Sequence, residues 1–180
     1  LNSETGLPLS VFRIRKTHQV GIFELGMNRR GEIAEIARVL VPSLALITNI
    51  GTAHIGILGT QVAIAEEKKQ IFSFFSNDST GFVPEDDPWR DFLQTIPAGT
   101  VRLFGTGSLD GFEGYEDRGI DGTLIRYAGH EILFRLPGAY NLRNALGAMS
   151  IARKAGLTPE EIKRGIESVQ ALFGRTEILR

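Results

Sequence analysis

Two short apolar runs in the first third of the chain predict buried strands of a parallel sheet. The first run covers residues 20–23 and ends on Glu24, and the second covers residues 44–50. Ligands of open α/β sheets bind at the carboxyl ends of the strands. Because Asn49 and His54 come at or just beyond the end of the second run, we expect them at the same sheet edge as Glu24.

Apolar residues at helical spacing predict two helices that flank this sheet, over residues 32–41 and 60–75. Thr60 is the expected N-cap of the second helix. At about 100° per residue, Lys68 falls in the middle of that helix's apolar face, which is formed by Ile64, Ile71 and Phe75. An isolated buried ammonium group is costly, so Lys68 is expected to have a specific partner or role.

The second half of the chain has an antiparallel pattern, unlike the first. Residues 105–119 are rich in glycine and acidic residues and predict a mobile loop. A capping box over residues 158–161 predicts the start of a last helix that runs to Gln170. The other predicted elements are strands over residues 80–87, 101–104, 123–128 and 131–136, and helices over residues 89–93 and 141–155. The fold class is therefore α/β, a mostly parallel sheet flanked by helices, with some antiparallel strands in the second half.

Composition narrows the class of protein and the kind of metal site. The chain has 180 residues, 42% of them hydrophobic, which suits one α/β domain with its own core. The formal net charge of -1 gives no reason to expect binding to nucleic acid. With no cysteine in the chain, any metal ligands must be oxygen or nitrogen atoms. No apolar run approaches the roughly 20 residues of a membrane span, so we expect a cytoplasmic domain without membrane insertion.

Glu24, His54 and Lys68 form the first candidate site, a metal centre. A carboxylate and a neutral imidazole suit a hard or borderline divalent ion. Lysine can contribute an oxygen ligand only if carbon dioxide carbamylates its amine. Ordinary structural roles stay open: a solvated charge for Glu24, a loop histidine for His54, and for Lys68 a side chain whose stem packs on the core.

Polar residues near the second-half helix form another candidate site. Asn141 and Asn144 lie in its first turn, where they could cap the helix or read the edge of a purine, and a helix N-terminus favours anions. Arg175 could contact phosphate or pair with a neighbouring carboxylate. The pair Asp86 and Asp87 could bind a metal ion or sugar hydroxyls, although an acidic pair before proline more often forms a turn.

Six short motifs follow one another along nearly the whole chain. They are Asn2-Ser-Glu-Thr-Gly-Leu-Pro8, Phe23-Glu-Leu-Gly-Met-Asn28 with Gly31-Glu-Ile33, Thr48-Asn-Ile-Gly-Thr-Ala-His54, Lys68-Lys-Gln-Ile-Phe72, Gly138-Ala-Tyr-Asn-Leu-Arg-Asn-Ala145 and Gly174-Arg-Thr-Glu177. Together, and in this order, they resemble the central, ATP-binding domain of the Mur ligases. The resemblance implies that residues 1–172 are this domain and that residues 173–180 are a hinge toward a further domain.

The resemblance also implies roles for particular residues. Glu24 would bind the magnesium ion that bridges the ATP phosphates, and His54 and Lys68 would bind a second magnesium ion, with Lys68 carbamylated. The adenine-side residues would be Asn141 and Asn144, and Arg175 would contact an ATP phosphate. Asn2 and Asn49 match positions near the substrate.

The activity that the resemblance implies is ATP-dependent amide ligation in peptidoglycan synthesis. The motif at residues 23–28 favours the members that add D-alanyl-D-alanine to a UDP-N-acetylmuramoyl-tripeptide through an acyl phosphate. Another Mur-type ligase, a folylpolyglutamate ligase or a non-catalytic binding module on the same fold stay as alternatives.

Some features depart from the family pattern. The chain starts without the family's phosphate-binding loop, so we expect it to be a fragment that does not ligate by itself. Tyr140 stands where the family usually has histidine, and Pro84 stands where an asparagine often precedes the Asp-Asp pair.

Overall fold

The computed structural model describes residues 6–171 of the 180. The chain folds into two compact units, of which the first contains described residues 6–81 and 87–102, and the second contains residues 82–86 and 103–171. None of the helices described between residues 6 and 171 is long and apolar enough to cross a membrane.

Most regular elements of the first unit are helices. In chain order they are α1 (Gly6–Val11), α2 (Glu32–Leu40), β1 (Leu44–Leu46), α3 (Ile55–Leu58), α4 (Gln61–Lys69), a single 3-10 turn (Gln70–Phe72) and α5 (Arg90–Gln94). Strands β2 (Thr80–Pro84) and β3 (Thr100–Phe104) begin in this unit and end in the second.

Strands β1, β2 and β3 form a parallel three-stranded sheet in that order. The backbone bonds show the direction of β2 and β3: Thr100 N–H donates to the Ser79 carbonyl, and Glu85 N–H donates to the Phe104 carbonyl. Residue numbers therefore rise together along the two strands, as parallel pairing requires. This confirms the predicted α/β class and places the end of β1 at a sheet edge of the kind that binds ligands.

Side-chain hydrogen bonds stabilise the first turns of both α4 and α2. The Thr60 hydroxyl accepts the Ala63 N–H at 3.1 Å, which confirms the predicted N-cap. The buried Glu67 carboxylate accepts the N–H groups of Gly31 and Ile33 at 2.8 and 2.9 Å. Those donors lie at the first turn of α2 and have no partner within the helix, so Glu67 fixes α2 against α4.

The second unit contains an antiparallel sheet and two helices, of which the second packs on the last strand of the sheet and the first packs on the second helix. Its strands are β4 (Phe112–Asp117), β5 (Thr123–Tyr127) and β6 (His130–Phe134), and its helices are α6 (Ala139–Lys154) and α7 (Pro159–Glu167). The pairs Thr123–Phe134 and Tyr127–His130 set the register of the predicted hairpin. The capping box at Thr158 and Glu161 is present as predicted.

Several predicted elements are wrong or shorter than expected. Residues 20–24 form no strand, because Val20 and Ile22 are 71% and 94% exposed and no described strand pairs with them. The second apolar run forms a strand only over Leu44–Leu46, since side chains rather than a neighbouring strand satisfy the backbone beyond it. Residues 105–119, predicted to be a loop, contain β4, because that glycine-rich sequence pairs along β5.

Candidate functional site

The segment after β1 carries the residues that sequence analysis singled out, and its backbone leaves the sheet while still partly buried. Ile47 and Ile50 are each 5% exposed, whereas the side chains of Asn49 and His54 are exposed. Buried backbone N–H and C=O groups need partners even where no strand supplies them. The structure therefore has to satisfy the peptide groups around Ile50 by other means.

Three side chains supply those hydrogen bonds. The Lys68 ammonium Nζ donates to the Asn49 carbonyl at 2.7 Å, and the Ile50 N–H donates to Asp87 Oδ2 at 2.8 Å. Gln61 Nε2 donates to the Ile50 carbonyl at 3.1 Å. The first two bonds grip the two ends of a single peptide group, the one between Asn49 and Ile50. We call Lys68, Asp87 and Gln61 together the peptide clamp.

Asp87 is 5% exposed and uses both carboxylate oxygens. Oδ1 accepts the Trp89 N–H at 2.9 Å while Oδ2 accepts the Ile50 N–H. Asp87 thus joins the turn before α5 to the segment after β1. From the sequence, Asp86 and Asp87 were expected to form either a metal or sugar site or a turn. The two residues in fact have separate roles, because Asp86 pairs with the Arg143 guanidinium.

Lys68 is half-buried, as its place on the apolar face of α4 predicted. Burial lowers the pKa of its ammonium group below the usual value, and the nearby Asp87 carboxylate opposes that shift in part. A lower pKa increases the share of neutral amine, the form that reacts with carbon dioxide. The neighbouring Lys69 differs, since its Nζ donates to the Phe92 carbonyl at 2.7 Å and lies 4.0 Å from the centre of the Phe92 ring.

Glu24 and His54 lie in the same unit as Lys68, but the structure does not bring them to it on strand ends. Glu24 is exposed in an irregular segment, and His54 precedes α3 with a φ of 68°. Neither side chain has a hydrogen bond or ion pair within residues 6–171, so both are available as ligands. In the same described part, no three His, Asp or Glu side chains cluster so as to hold a metal ion.

The candidate residues on α6 differ from each other in exposure. Asn141 is buried and its Nδ2 donates to the Pro137 carbonyl at 2.8 Å, which orders the turn that leads into the helix. Asn144 and Tyr140 are exposed. Asn2 and Arg175 lie outside the described residues, so their roles stay predictions.

The sequence did not predict the backbone contacts of two side chains of this site, Gln61 and Asp87. Gln61 follows the Thr60 N-cap and reads as an ordinary surface residue of a first helical turn. Asp87 was noticed only as part of an acidic pair. The available signal for Asp87 was its place between a buried strand and proline, where a carboxylate can accept backbone N–H groups.

Comparison with known sequences decides the family. The sequence profile of the Mur ligase middle domain matches residues 1–152. The chain belongs to the Mur ligase middle-domain family. This confirms the resemblance drawn from the six motifs.

Individual Mur ligase relatives agree with that assignment. The chain is 52% identical, over 179 residues, to the UDP-N-acetylmuramoyl-tripeptide–D-alanyl-D-alanine ligase of Treponema pallidum. It matches the crystal structure of MurF from Acinetobacter baumannii with a TM-score of 0.89 and 27% identity, covering 99% of this chain and 40% of that one. MurF from Thermotoga maritima, solved in complex with ADP, shares the fold with a TM-score of 0.73 and 23% identity, over 93% of this chain and 40% of that one.

The match covers only part of each relative. The alignment takes in 99% of this chain and 39% of the Treponema pallidum enzyme. The similarity therefore describes a middle domain, and the activity of the whole protein is a matter for proposal.

Proposed function

We propose that the complete protein containing this chain is an ATP-dependent ligase that joins D-alanyl-D-alanine to a UDP-N-acetylmuramoyl-tripeptide. The observation that carries this proposal is the 52% identity, over 99% of the chain, to the Treponema pallidum enzyme of that name. The reaction would take place in the cytoplasm, where both substrates would be soluble.

The proposed reaction has two chemical steps. The γ-phosphoryl group of ATP passes to the terminal carboxylate of the tripeptide, which gives an acyl phosphate and ADP. The amine of D-alanyl-D-alanine then attacks the acyl carbon, the carbon–oxygen bond to phosphate breaks, and the amine loses a proton. Positioning and electrostatic stabilisation are the main contributions of a protein to phosphoryl transfer.

The nucleotide would be held at the start of α6 and by Arg175. Asn144 is exposed in the first turns of a 16-residue helix, and the N-terminus of a helix favours an anion. Because Asn141 already donates its amide to Pro137, we assign it an orienting role toward the adenine side and Asn144 the more direct contact. Asn2 and Asn49 are proposed on the substrate side.

Magnesium would be held by Glu24, His54 and Lys68, and the residues present fit that ion in type. Glu24 and His54 are exposed and unengaged within the described residues, and the lowered pKa of Lys68 favours carbamylation. Two magnesium ions would neutralise the phosphate oxygens and the charge that develops during transfer. The hydrogen bond from Lys68 Nζ to the Asn49 carbonyl supports this role, because it holds the end of the side chain in one position.

The test is a ligation assay on the complete protein. With ATP, magnesium, UDP-N-acetylmuramoyl-tripeptide and D-alanyl-D-alanine, we expect stoichiometric ADP, phosphate and the UDP-linked pentapeptide. Turnover with a single amino acid and a shorter UDP-linked acceptor would assign another Mur-type ligase instead, and turnover with a folate and glutamate would assign a folylpolyglutamate ligase. Absence of ADP with every pair, from folded protein that binds its nucleotide, would leave a non-catalytic binding module.

A further inference from the structure

We propose that Asp87 and Gln61 are positioning residues of the ligase site, which act through the backbone of residues 49–50 on Lys68 and on the segment that ends at His54. This inference rests on the proposed function. Gln61 belongs to no predicted site, and Asp87 was considered only with Asp86, as a metal or sugar site or as a turn. Their role follows from the three hydrogen bonds of the peptide clamp.

The clamp sits where the sheet stops supporting the chain. Strand β1 ends at Leu46, yet Ile50 is still buried. The Asn49 carbonyl, the Ile50 N–H and the Ile50 carbonyl each receive one side-chain partner. Three consecutive polar backbone groups are therefore fixed by three side chains from two separate elements, α4 and the turn before α5.

Asp87 and Lys68 hold opposite ends of the same peptide group. If the Ile50 N–H loses Asp87, that peptide is free to rotate, and the Asn49 carbonyl no longer presents itself to Lys68 Nζ at 2.7 Å. Gln61 restrains the following peptide through the Ile50 carbonyl. The orientation of Lys68 Nζ thus depends on Asp87 and Gln61 through the backbone of residues 49 and 50.

The same restraint reaches His54 along the chain. His54 has a φ of 68°, in the left-handed region that few non-glycine residues adopt. Only three residues separate it from Ile50, and residues 52–54 are exposed. The clamp is the anchored end of this short segment, so loosening it would spread the positions of the imidazole.

Two variants of the complete protein test the proposal, with a control on the same helix. Asp87→Asn removes the charge and one of two carboxylate acceptors, while Gln61→Met removes the donor from an exposed residue of the first turn of α4, where folding is not at risk. Glu66→Gln changes another exposed residue of α4 that takes no part in the clamp. Hydrogen exchange of a peptide covering residues 48–54 is measured first, without any substrate.

We expect exchange in residues 48–54 to accelerate about fivefold in Asp87→Asn and Gln61→Met, the factor that one ordinary hydrogen bond is worth. Peptides from α2 and the Glu66→Gln control should exchange as in the wild type. In the ligase assay, the magnesium concentration for half-maximal rate should rise roughly 10-fold or more in the two clamp variants, as for other residues that orient metal ligands. The Michaelis constant for D-alanyl-D-alanine should stay unchanged.

The two readouts separate the failure of this inference from failure of the proposed function. A wild-type protein that does not ligate refutes the proposed function, and the exchange measurement still judges the clamp. Unchanged exchange in Gln61→Met overturns the clamp. Faster exchange with an unchanged magnesium dependence, in an active protein, overturns the positioning role and reduces the clamp to a structural feature.

Discussion

Asp87 and Glu85 are two carboxylates only two residues apart, and each organises a loop in a different compact unit. Asp87 is buried and accepts two backbone N–H groups, from Ile50 and Trp89. Glu85 is half-buried and accepts the Gly107 N–H at 2.9 Å together with the hydroxyls of Thr106 and Ser108. Hydrogen bonding to a carboxylate is common to both, but the donors and the burial differ.

The difference shows which loop depends on its carboxylate. Water can reach the donors around Glu85, so loss of that side chain leaves them solvated. The Ile50 N–H is buried, so loss of Asp87 leaves it without any partner, which costs more than the hydrogen bond itself contributes. The Asp87 loop also holds Asn49 and His54, whereas the Glu85 loop holds no candidate site residue.

The largest expected effect comes from Lys68, the clamp residue that is also a candidate metal ligand. Lys68→Ala removes both the predicted oxygen ligand and the donor to the Asn49 carbonyl. We expect the ligation rate of the complete protein to fall by at least about a hundredfold, comparable to removing one transition-state contact. Short carboxylic acids should restore part of the rate by replacing the carbamate.

Lys69→Ala is the matched control for that experiment. The Lys69 ammonium group contacts the ring of Phe92 and donates to the Phe92 carbonyl. Loss of the Lys69 side chain should therefore lower the free energy of unfolding by about 1 kcal/mol and leave the ligation rate as in the wild type. If Lys68→Ala keeps its full rate, Lys68 has only a structural role. A carbamate adduct on Lys69, found by peptide mass spectrometry, would instead make Lys69 the metal ligand and leave Lys68 with the structural role.

The second prediction compares the two carboxylates directly. Asp87→Ala should lower the free energy of unfolding by about 2–3 kcal/mol, because it leaves two backbone N–H groups unpaired, one of them deeply buried. Glu85→Ala should cost about 1 kcal/mol, since its donors meet water. Urea unfolding of both variants, with tryptophan fluorescence, gives the two values.

The ligation rates of the same two variants provide a second comparison of the two carboxylates. The folded fraction of Asp87→Ala should ligate more slowly, while Glu85→Ala should ligate at the wild-type rate. An equal loss of stability in the two variants would show that burial does not separate these loops. A slower Glu85 variant would connect its loop to the site, contrary to our account.

The third prediction concerns the pH dependence of stability at Glu85. Burial alone would raise the pKa of Glu85, but the hydrogen bonds from Ser108, Gly107 and Thr106 outweigh it and hold the pKa below its ordinary value of 4.5. A carboxyl with a lowered pKa in the folded state stabilises the protein above its unfolded pKa, and this stabilisation is lost as pH falls through the folded value.

Glu85→Gln tests that sign. The variant should unfold more easily than the wild type by about 1 kcal/mol at neutral pH, and the difference should shrink as the pH is lowered below about 4.5. Asp110→Asn, a change at another acidic residue of the same loop region, is the control. A gap between wild type and Glu85→Gln that stays constant down to acid pH would refute the role of the charge.

Regular elements with strong local signals could be predicted from the sequence. Thr60 and Thr158 both cap helices as expected, since a hydroxyl followed three residues later by its partner is a local pattern. The place of Lys68 on α4 followed from helical spacing alone. The run at residues 20–23 misled because a short apolar run indicates burial only when other strands cover it, and neighbours are not visible in local sequence.

The clamp could not be predicted for the same reason. Gln61 and Asp87 meet the backbone of Ile50 across 11 and 37 residues of sequence. The sequence near either residue does not indicate which backbone group its side chain will bond to. The candidate ligand set of Glu24, His54 and Lys68 was first drawn from strand-end placement and ligand chemistry, and the family resemblance then assigned it to magnesium. The strand-end argument fails for Glu24, because residues 20–24 form no strand. The argument for Lys68, the cost of burying an ammonium group, depended only on local helical spacing.

The smallest expected effect concerns a polar group that no partner satisfies. Tyr127, fully buried on β5, has a hydroxyl without a hydrogen-bond partner among the described residues, in contrast to the fully engaged Asp87. Tyr127→Phe removes that group and leaves the ring in place, so it should raise the free energy of unfolding by up to about 1 kcal/mol. Tyr115→Phe, at a half-exposed position on β4, should change stability very little. A clear loss of stability in Tyr127→Phe would mean that a water molecule or another group satisfies the hydroxyl in solution, and that buried polar groups in this sheet are as fully paired as those of the clamp.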